Sequence, residues 1–68
     1  MKAPGAGLYA GIDLKVMRVR QGVRLRDVAA GMGVSHQRVA QIESYARPSS
    51  AAVGRYIEAL GQATESRG

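Results

Sequence analysis

The apolar residues of this 68-residue chain recur at helical spacing, and they never alternate with polar residues over a sustained run. That period is typical of α-helices and not of half-buried strands. Residues 1–7 (MKAPGAG) are rich in glycine, and residues 62–68 (QATESRG) have no apolar anchor. The pattern therefore predicts an all-α fold with a flexible arm over 1–7, one helical domain over 8–61 and a polar tail over 62–68.

The pattern predicts a compact bundle of four or five short helices, and four of them can be delimited in the sequence. The first runs over about 12–21, and Gly22 lies just past its end. The second begins at residue 24 or 25 and ends at Gly31, after which Gly33 can take a positive φ in the turn. The apolar residues that should face inward from these two helices are Leu14, Met17, Leu25, Val28, Ala29 and Met32.

Serine residues indicate where the other two helices begin. Ser35 is the expected N-cap of a third helix over about 35–43, and Ser49 of a fourth helix that ends near Leu60 at Gly61. Gly31 and Gly54 inside helices each cost about 1 kcal/mol relative to alanine. The inward residues of the third and fourth helices are Val39, Ile42, Ala52, Val53, Tyr56, Ile57 and Leu60.

The composition excludes several classes of protein. The chain has no cysteine, hence no disulfide or thiolate metal site, and its single histidine cannot complete a zinc site. It has no catalytic triad, no phosphate-binding loop and no carboxylate pair, so we predict that it is not an enzyme. No cofactor, metal or small-molecule ligand is expected. No segment is apolar enough to span a membrane or to act as a signal peptide, which predicts a cytoplasmic protein.

Ten basic residues against five acidic ones give a net charge of +5, and eight of the ten are arginine. They are spread between apolar positions, which is typical of a folded basic surface and not of a basic tail. Arginine suits phosphate oxygens and guanine edges. Charge alone leaves two interpretations nearly even: a nucleic-acid partner, or an ordinary solvated surface.

The run VRLRDVAAGMGVSHQRVAQIES (residues 23–44) carries a more specific pattern, followed by Arg47-Pro48-Ser49 and EALG at 58–61. Small Ala29 would let two helices approach closely, and Gly33 would allow a tight turn between them. With these residues the chain resembles the helix-turn-helix of the Cro and lambda-repressor family, also called the XRE family, over about 14–61. The resemblance implies a lambda-repressor-like fold that binds double-stranded DNA.

The resemblance also implies roles for individual residues. The second motif helix, over about 35–43, would enter the major groove. The base-reading candidates are His36, Gln37, Arg38 and Gln41. For His36 the alternative to base reading is an exposed polar residue at a helix start. The candidates for contact with the DNA backbone are Arg24, Arg26, Ser35, Ser44, Tyr45 and Arg47.

Two positions depart from the family pattern. Arg24-Leu25 stands where a serine or threonine cap followed by glutamine is common. Leucine cannot donate a hydrogen bond to phosphate from its side chain, although a backbone N–H could make that contact and Arg24 or Arg26 could supply the charge. Tyr45 stands where an asparagine–glycine turn is usual; it would either reach a phosphate or cover the core, and the core is slightly favoured. Arg18 and Glu43 match a buried ion pair of many family members, and the alternative is two exposed charges that never meet.

These implications point to a small transcriptional repressor of bacterial, phage or plasmid origin that binds an inverted-repeat operator as a homodimer, in solution or only on DNA. Leu8, Tyr9, Tyr56 and Leu60 are the candidate dimer contacts, and for Tyr56 ordinary core is the favoured alternative. The other hypothesis is a helix-turn-helix module that acts through a protein partner as an antitoxin, adaptor or inhibitor. The polar face expected for the third helix favours DNA.

Overall fold

The structure, a computed structural model, describes residues 9–67, with side chains described through residue 65. Within that part of the chain the fold is all α, as predicted, and contains four helices and no strand. The helices are α1 (Gly11–Arg20), α2 (Leu25–Met32), α3 (His36–Ser44) and α4 (Ser50–Arg67). The proposed arm over 1–7, the dimer candidate Leu8 and the last residue, Gly68, lie outside the described residues.

Local hydrogen bonds explain where the helices begin. The Asp13 carboxylate accepts a hydrogen bond from the Ala10 N–H at 2.9 Å, which caps the start of α1. Ser35 Oγ accepts from the Arg38 N–H at 3.2 Å, and Ser49 Oγ from the Ala52 N–H at 3.1 Å. Both serine caps were predicted from the sequence, and both are confirmed.

The turn between α2 and α3 depends on a left-handed residue. Gly33 has φ +71°, and its N–H donates to the Ala30 carbonyl at 3.2 Å. A side chain would be strained at this φ, so glycine is required if α3 is to follow α2 after so short a connection. The prediction of a positive φ at Gly33 is confirmed.

The core lies where the four helices meet. α2 packs against α3 and α4, and α1 packs against the same two helices. Leu25, Met17 and Ile57 are half-buried at its edge. The buried apolar residues include two that the periodicity did not assign, Val23 and Ala59. The full set is Leu14, Val23, Val28, Ala29, Val39, Ile42, Val53, Tyr56, Ala59 and Leu60.

The end of α4 corrects the sequence prediction. The helix continues past Gly61 to Arg67, so the expected end near Leu60 is wrong. Gly61 is not among the glycines with positive φ, and it therefore lies inside the helix instead of terminating it. Half-buried Ala63 packs against the core, and the Thr64 hydroxyl donates to the Gly61 carbonyl at 2.8 Å. These contacts offset the cost of a helical glycine.

Candidate functional site

One face of α3 is open to solvent and carries polar and basic side chains. Gln37, Arg38 and Gln41 are exposed on it, and His36 is exposed separately, as the first residue of the helix. On the opposite face, Val39 and Ile42 are buried in the core and hold the helix in place. The four base-reading candidates are therefore all on the surface, along about one and a half turns of a single helix.

Two of these side chains are joined to each other. Arg38 Nη1 donates a hydrogen bond to Gln41 Oε1 at 3.1 Å. This bond occupies one lone pair of the Gln41 amide oxygen, so the groups that the pair offers to a ligand are mostly donors: the amide N–H groups of Gln41 and the other donors of Arg38. A guanine edge presents two acceptors, N7 and O6, whereas an adenine edge requires a donor and an acceptor together. The pair, in this arrangement, has the chemistry that suits guanine.

A cleft joins the start of α3 to the start of α2. It is lined by Arg24, Leu25, Arg26 and His36, so the structure brings both predicted backbone-contacting arginines beside the first residue of α3. The Leu25 side chain is half-buried against the core and offers no donor. The N–H groups of Leu25 and Arg26 belong to the first turn of α2 and have no acceptor within the helix. Two guanidinium groups at a helix N-terminus suit a phosphate oxygen.

The segment after α3 contains the other candidates for backbone contacts. The Ser44 hydroxyl donates to the Gln41 carbonyl at 2.6 Å, so its proton is already used inside the helix. Tyr45 is 42% exposed and Arg47 is exposed. The preference for Tyr45 as a core residue is therefore wrong: it caps the end of α3 with its backbone, and its side chain lies at the surface.

Glu43 fixes the carboxyl end of α3 from the inside. Arg18 Nε lies 2.7 Å from Glu43 Oε2, and Arg18 Nη2 lies 3.3 Å from Oε1. The two side chains are only 11% and 5% exposed, which makes this a buried ion pair and not a pair of separate surface charges. Arg18 Nη1 also donates to the Val23 carbonyl at 3.1 Å. The pair thus links three parts of the fold: α1, α3, and the turn that precedes α2.

A third member of this group comes from α4. The Tyr56 hydroxyl donates to Glu43 Oε2 at 2.5 Å, and it also lies 3.2 Å from the Leu14 carbonyl oxygen. Burial, with the hydrogen bond to Glu43 as the second cause, raises the pKa of Tyr56 well above its usual range. The hydrogen bond from Arg18 to Glu43 likewise raises the pKa of the guanidinium. Helical spacing had placed Tyr56 in the core without indicating any partner for its hydroxyl.

The start of α1 contacts the end of α3 directly. The Gly11 N–H donates to the Tyr45 carbonyl at 2.8 Å. A Cβ on Gly11 would lie 2.4 Å from the Ile42 carbonyl oxygen, a distance that no side chain could tolerate. No pattern in the sequence singles out this glycine, because only the tertiary structure brings residue 11 next to residues 42–45.

The predicted dimer contacts are not all available. Tyr56 and Leu60 are buried within the core, so their assignment to a dimer contact is wrong, and the alternative for Tyr56, ordinary core, holds. Tyr9 is half-buried against the same core.

The described residues contain no group of three or more histidine, cysteine or acidic side chains placed to hold a metal ion. None of the helices in this part of the chain is long and apolar enough to cross a membrane.

Comparison with known proteins identifies the family of the chain. A family model described as a helix-turn-helix matches residues 14–65, which is more than half of the chain. No curated protein and no solved structure matches significantly. The match covers α2, α3 and the turn between them, together with most of α1 and α4.

Proposed function

Because the chain belongs to the helix-turn-helix family of the Cro and lambda-repressor type, whose members are DNA-binding regulatory domains and not enzymes, we propose that it is a sequence-specific transcriptional repressor. In this proposal two copies bind an inverted-repeat operator, each placing α3 in the major groove of one half-site. Repression follows from occupancy, since the bound protein excludes polymerase. A bacterial, phage or plasmid origin and a cytoplasmic location belong to the same proposal.

The observation that supports the proposal best is the exposed face of α3 with arginines beside it. His36, Gln37, Arg38 and Gln41 would read base edges, and the Arg38–Gln41 pair would read a guanine. The phosphate contacts would come mainly from Arg24, Arg26 and Arg47, with the Tyr45 hydroxyl and Ser35 as further donors. Ser44 would contribute only if it gave up its hydrogen bond to Gln41.

The alternative function is a helix-turn-helix module that acts mainly through a protein partner. Such a module should present apolar side chains on the outer face of α3, and this face is polar and basic. We therefore place DNA binding first.

Selection of bound duplexes from a random double-stranded library, near physiological salt, tests the proposal. The expected result is an enriched inverted repeat with a guanine in each half-site. Enrichment of a single half-site would instead indicate that monomers bind specifically. No enrichment, with only weak and salt-sensitive retention, would contradict the proposal and favour the protein-partner alternative.

Two matched variants test whether Arg38 determines the preference for guanine. Arg38→Ala should lower affinity for the selected site and relax preference at the guanine by about 1–3 kcal/mol, because the bidentate contact is lost. Glu58→Ala removes an exposed charge from α4 and should leave the preference unchanged. If both variants kept the wild-type preference, Arg38 would not be the reading residue.

A further inference from the structure

The exposed large apolar side chains of the described residues are concentrated on α1. Ile12, Val16 and Val19 are 57%, 45% and 58% exposed, and the remaining one is Tyr45. Residues at positions i, i+4 and i+7 lie in one row along a helix. We call this row, Ile12, Val16 and Val19, the α1 stripe. It faces away from the core, because Leu14, on the other side of α1, is fully buried.

Charged side chains flank the α1 stripe in an ordered way. On a helical projection Asp13 and Arg20 lie along one edge of the stripe, near opposite ends of the helix, and Lys15 lies along the other edge. One carboxylate oxygen of Asp13 caps the Ala10 N–H, which leaves further acceptor capacity. Arg20 has no ion-pair partner within the described chain. The edge therefore carries an acid at its start and an unpaired base at its end.

This arrangement is complementary to itself when two α1 helices run antiparallel. A twofold axis through Val16 would place Val16 against Val16 of a second copy and Ile12 against the second copy's Val19. The same axis would keep the Asp13 edge of one helix beside the Arg20 edge of the other. Asp13 precedes Val16 by three residues and Arg20 follows it by four, so the two charges would lie within about one residue rise, roughly 1.5 Å, along the axis.

We propose that the α1 stripe is the surface through which two copies of this chain pair, antiparallel, with Asp13 of each copy beside Arg20 of the other. Each contact between different residues then occurs twice, as a twofold interface requires. The antiparallel orientation also sets the dipoles of the two helices in opposition, which favours the pairing. The proposal rests on the repressor function only in that it identifies the surface of the proposed homodimer.

The size of the stripe determines how strong the pairing is. Three apolar side chains per copy bury less than the roughly 800 Å² per partner of a stable interface. Lys15 would face its own copy across the axis, and this like-charge contact weakens the pairing further. The dimer is therefore weak in solution and forms fully when two copies lie on neighbouring half-sites, where their effective concentration is high.

Single-cysteine crosslinking tests the surface without any DNA. The chain has no cysteine of its own, so Val16→Cys introduces one thiol per copy, close to the proposed twofold axis. Ala51→Cys, exposed on α4, is the matched control. Under mild oxidation at equal concentration, Val16→Cys should form disulfide-linked dimers at least about tenfold faster than the control. Equal rates would overturn the proposal, whether or not the protein binds DNA.

A second measurement connects the surface to DNA binding. Val16→Asp sets two carboxylates against each other and should weaken binding to an inverted repeat at least about tenfold, with binding to a single half-site unchanged. Arg20→Glu should likewise weaken binding to the inverted repeat. The control Ala51→Asp should change binding neither to the repeat nor to a single half-site. Wild-type binding of the repeat by both α1 variants would overturn the proposal. If the wild type bound neither the inverted repeat nor a single half-site, the repressor function would be contradicted. Crosslinking would still test whether two copies pair through the α1 stripe.

Discussion

Glu43 accepts hydrogen bonds from two helices other than its own, through Arg18 on α1 and Tyr56 on α4. Removing the carboxylate would leave the Arg18 guanidinium almost buried without a counter-charge. We expect Glu43→Ala to lower the free energy of unfolding by about 3–5 kcal/mol in urea denaturation. Glu58→Ala, at an exposed position of α4, should change it by no more than about 0.5 kcal/mol. A loss below about 1 kcal/mol for Glu43→Ala would mean that the pair behaves as an exposed one.

Tyr56 should make stability depend on alkaline pH. Its raised pKa means that the folded chain holds the hydroxyl proton more tightly than the unfolded chain does. The stabilisation is complete below the unfolded value, about pH 10, and is lost as the pH rises toward the folded value. At neutral pH, the free energy of unfolding of the wild type should exceed that of Tyr56→Phe by about 1.5–3 kcal/mol, because the variant lacks a hydrogen bond to a charged group.

Urea denaturation of both proteins at pH 8 and at about pH 11 measures this difference. The gap in free energy between wild type and Tyr56→Phe should narrow at the higher pH. Comparing the two proteins cancels the titration of the groups that they share. A gap that stayed constant would show that Tyr56 does not contribute through its proton.

Sequence reasoning reached part of this group of residues and not the rest. The resemblance to the family indicated Arg18 and Glu43, and the structure places them in contact. Helical spacing placed Tyr56 inward, but spacing cannot indicate what a hydroxyl meets when its partners are 13 and 42 residues away in the chain. For Tyr45 the surface position was the less favoured of two alternatives, because the residue lies just beyond α3, where helical spacing does not place a side chain.

At the scale of helices, two glycines that look alike in the sequence have different roles. A Cβ on Gly54 would have nothing within 4 Å, whereas a Cβ on Gly31 would lie 2.9 Å from Ala59 Cβ, where α2 meets α4. Gly54→Ala should therefore stabilise the protein by about 0.5–1 kcal/mol through better helix propensity. Gly31→Ala should destabilise it by about 1–3 kcal/mol, because the helices must move apart.

Thermal unfolding of the two alanine variants separates these effects. Gly54→Ala should raise Tm by a few degrees and Gly31→Ala should lower it. Equal shifts for both would contradict the close approach of α2 and α4. Helix propensity alone assigns both glycines the same cost, so only the packing distinguishes them.

Helix boundaries were predictable where a local signal existed. Ser35, Ser49 and Gly33 act through their own side chains or φ, and the sequence located all three correctly. The end of α4 has no such determinant. Gly61 suggested a terminus, but contacts made one turn later, by Ala63 and Thr64, decide that the helix continues.

For the whole molecule, which carries a net charge of +5, direct contacts between basic side chains and phosphates should dominate affinity for any duplex. Binding should weaken steeply between about 50 and 200 mM salt, because phosphate contacts release counterions. Arg47→Ala should reduce the slope of log affinity against log salt by about one and weaken all sequences alike. Gln41→Ala, which removes no charge, should keep the slope and change sequence preference. A changed preference in Arg47→Ala would place that arginine at a base and not at a phosphate.

The exposed apolar row on α1 belongs to this scale as well. Periodicity identifies Leu14 as inward, but it does not show how much of a short helix the rest of the protein covers. In the structure α3 and α4 pack against α1, and no described element covers Ile12, Val16 and Val19. The uncovered surface could be recognised only after all four helices had been placed.

The contact between Gly11 and the end of α3 has a consequence for the range of operators that the proposed repressor would accept. Because its carboxyl end is bound to α1 and its inner face is buried, α3 is held in place before DNA binds, and we expect it to lose little conformational entropy on binding. A recognition helix that is held in this way cannot adapt its own shape to a variant DNA site. In the proposed complex, tolerance for such sites would come from the deformability of the duplex, so flexible base steps between the two proposed half-sites should affect affinity even where no side chain touches them.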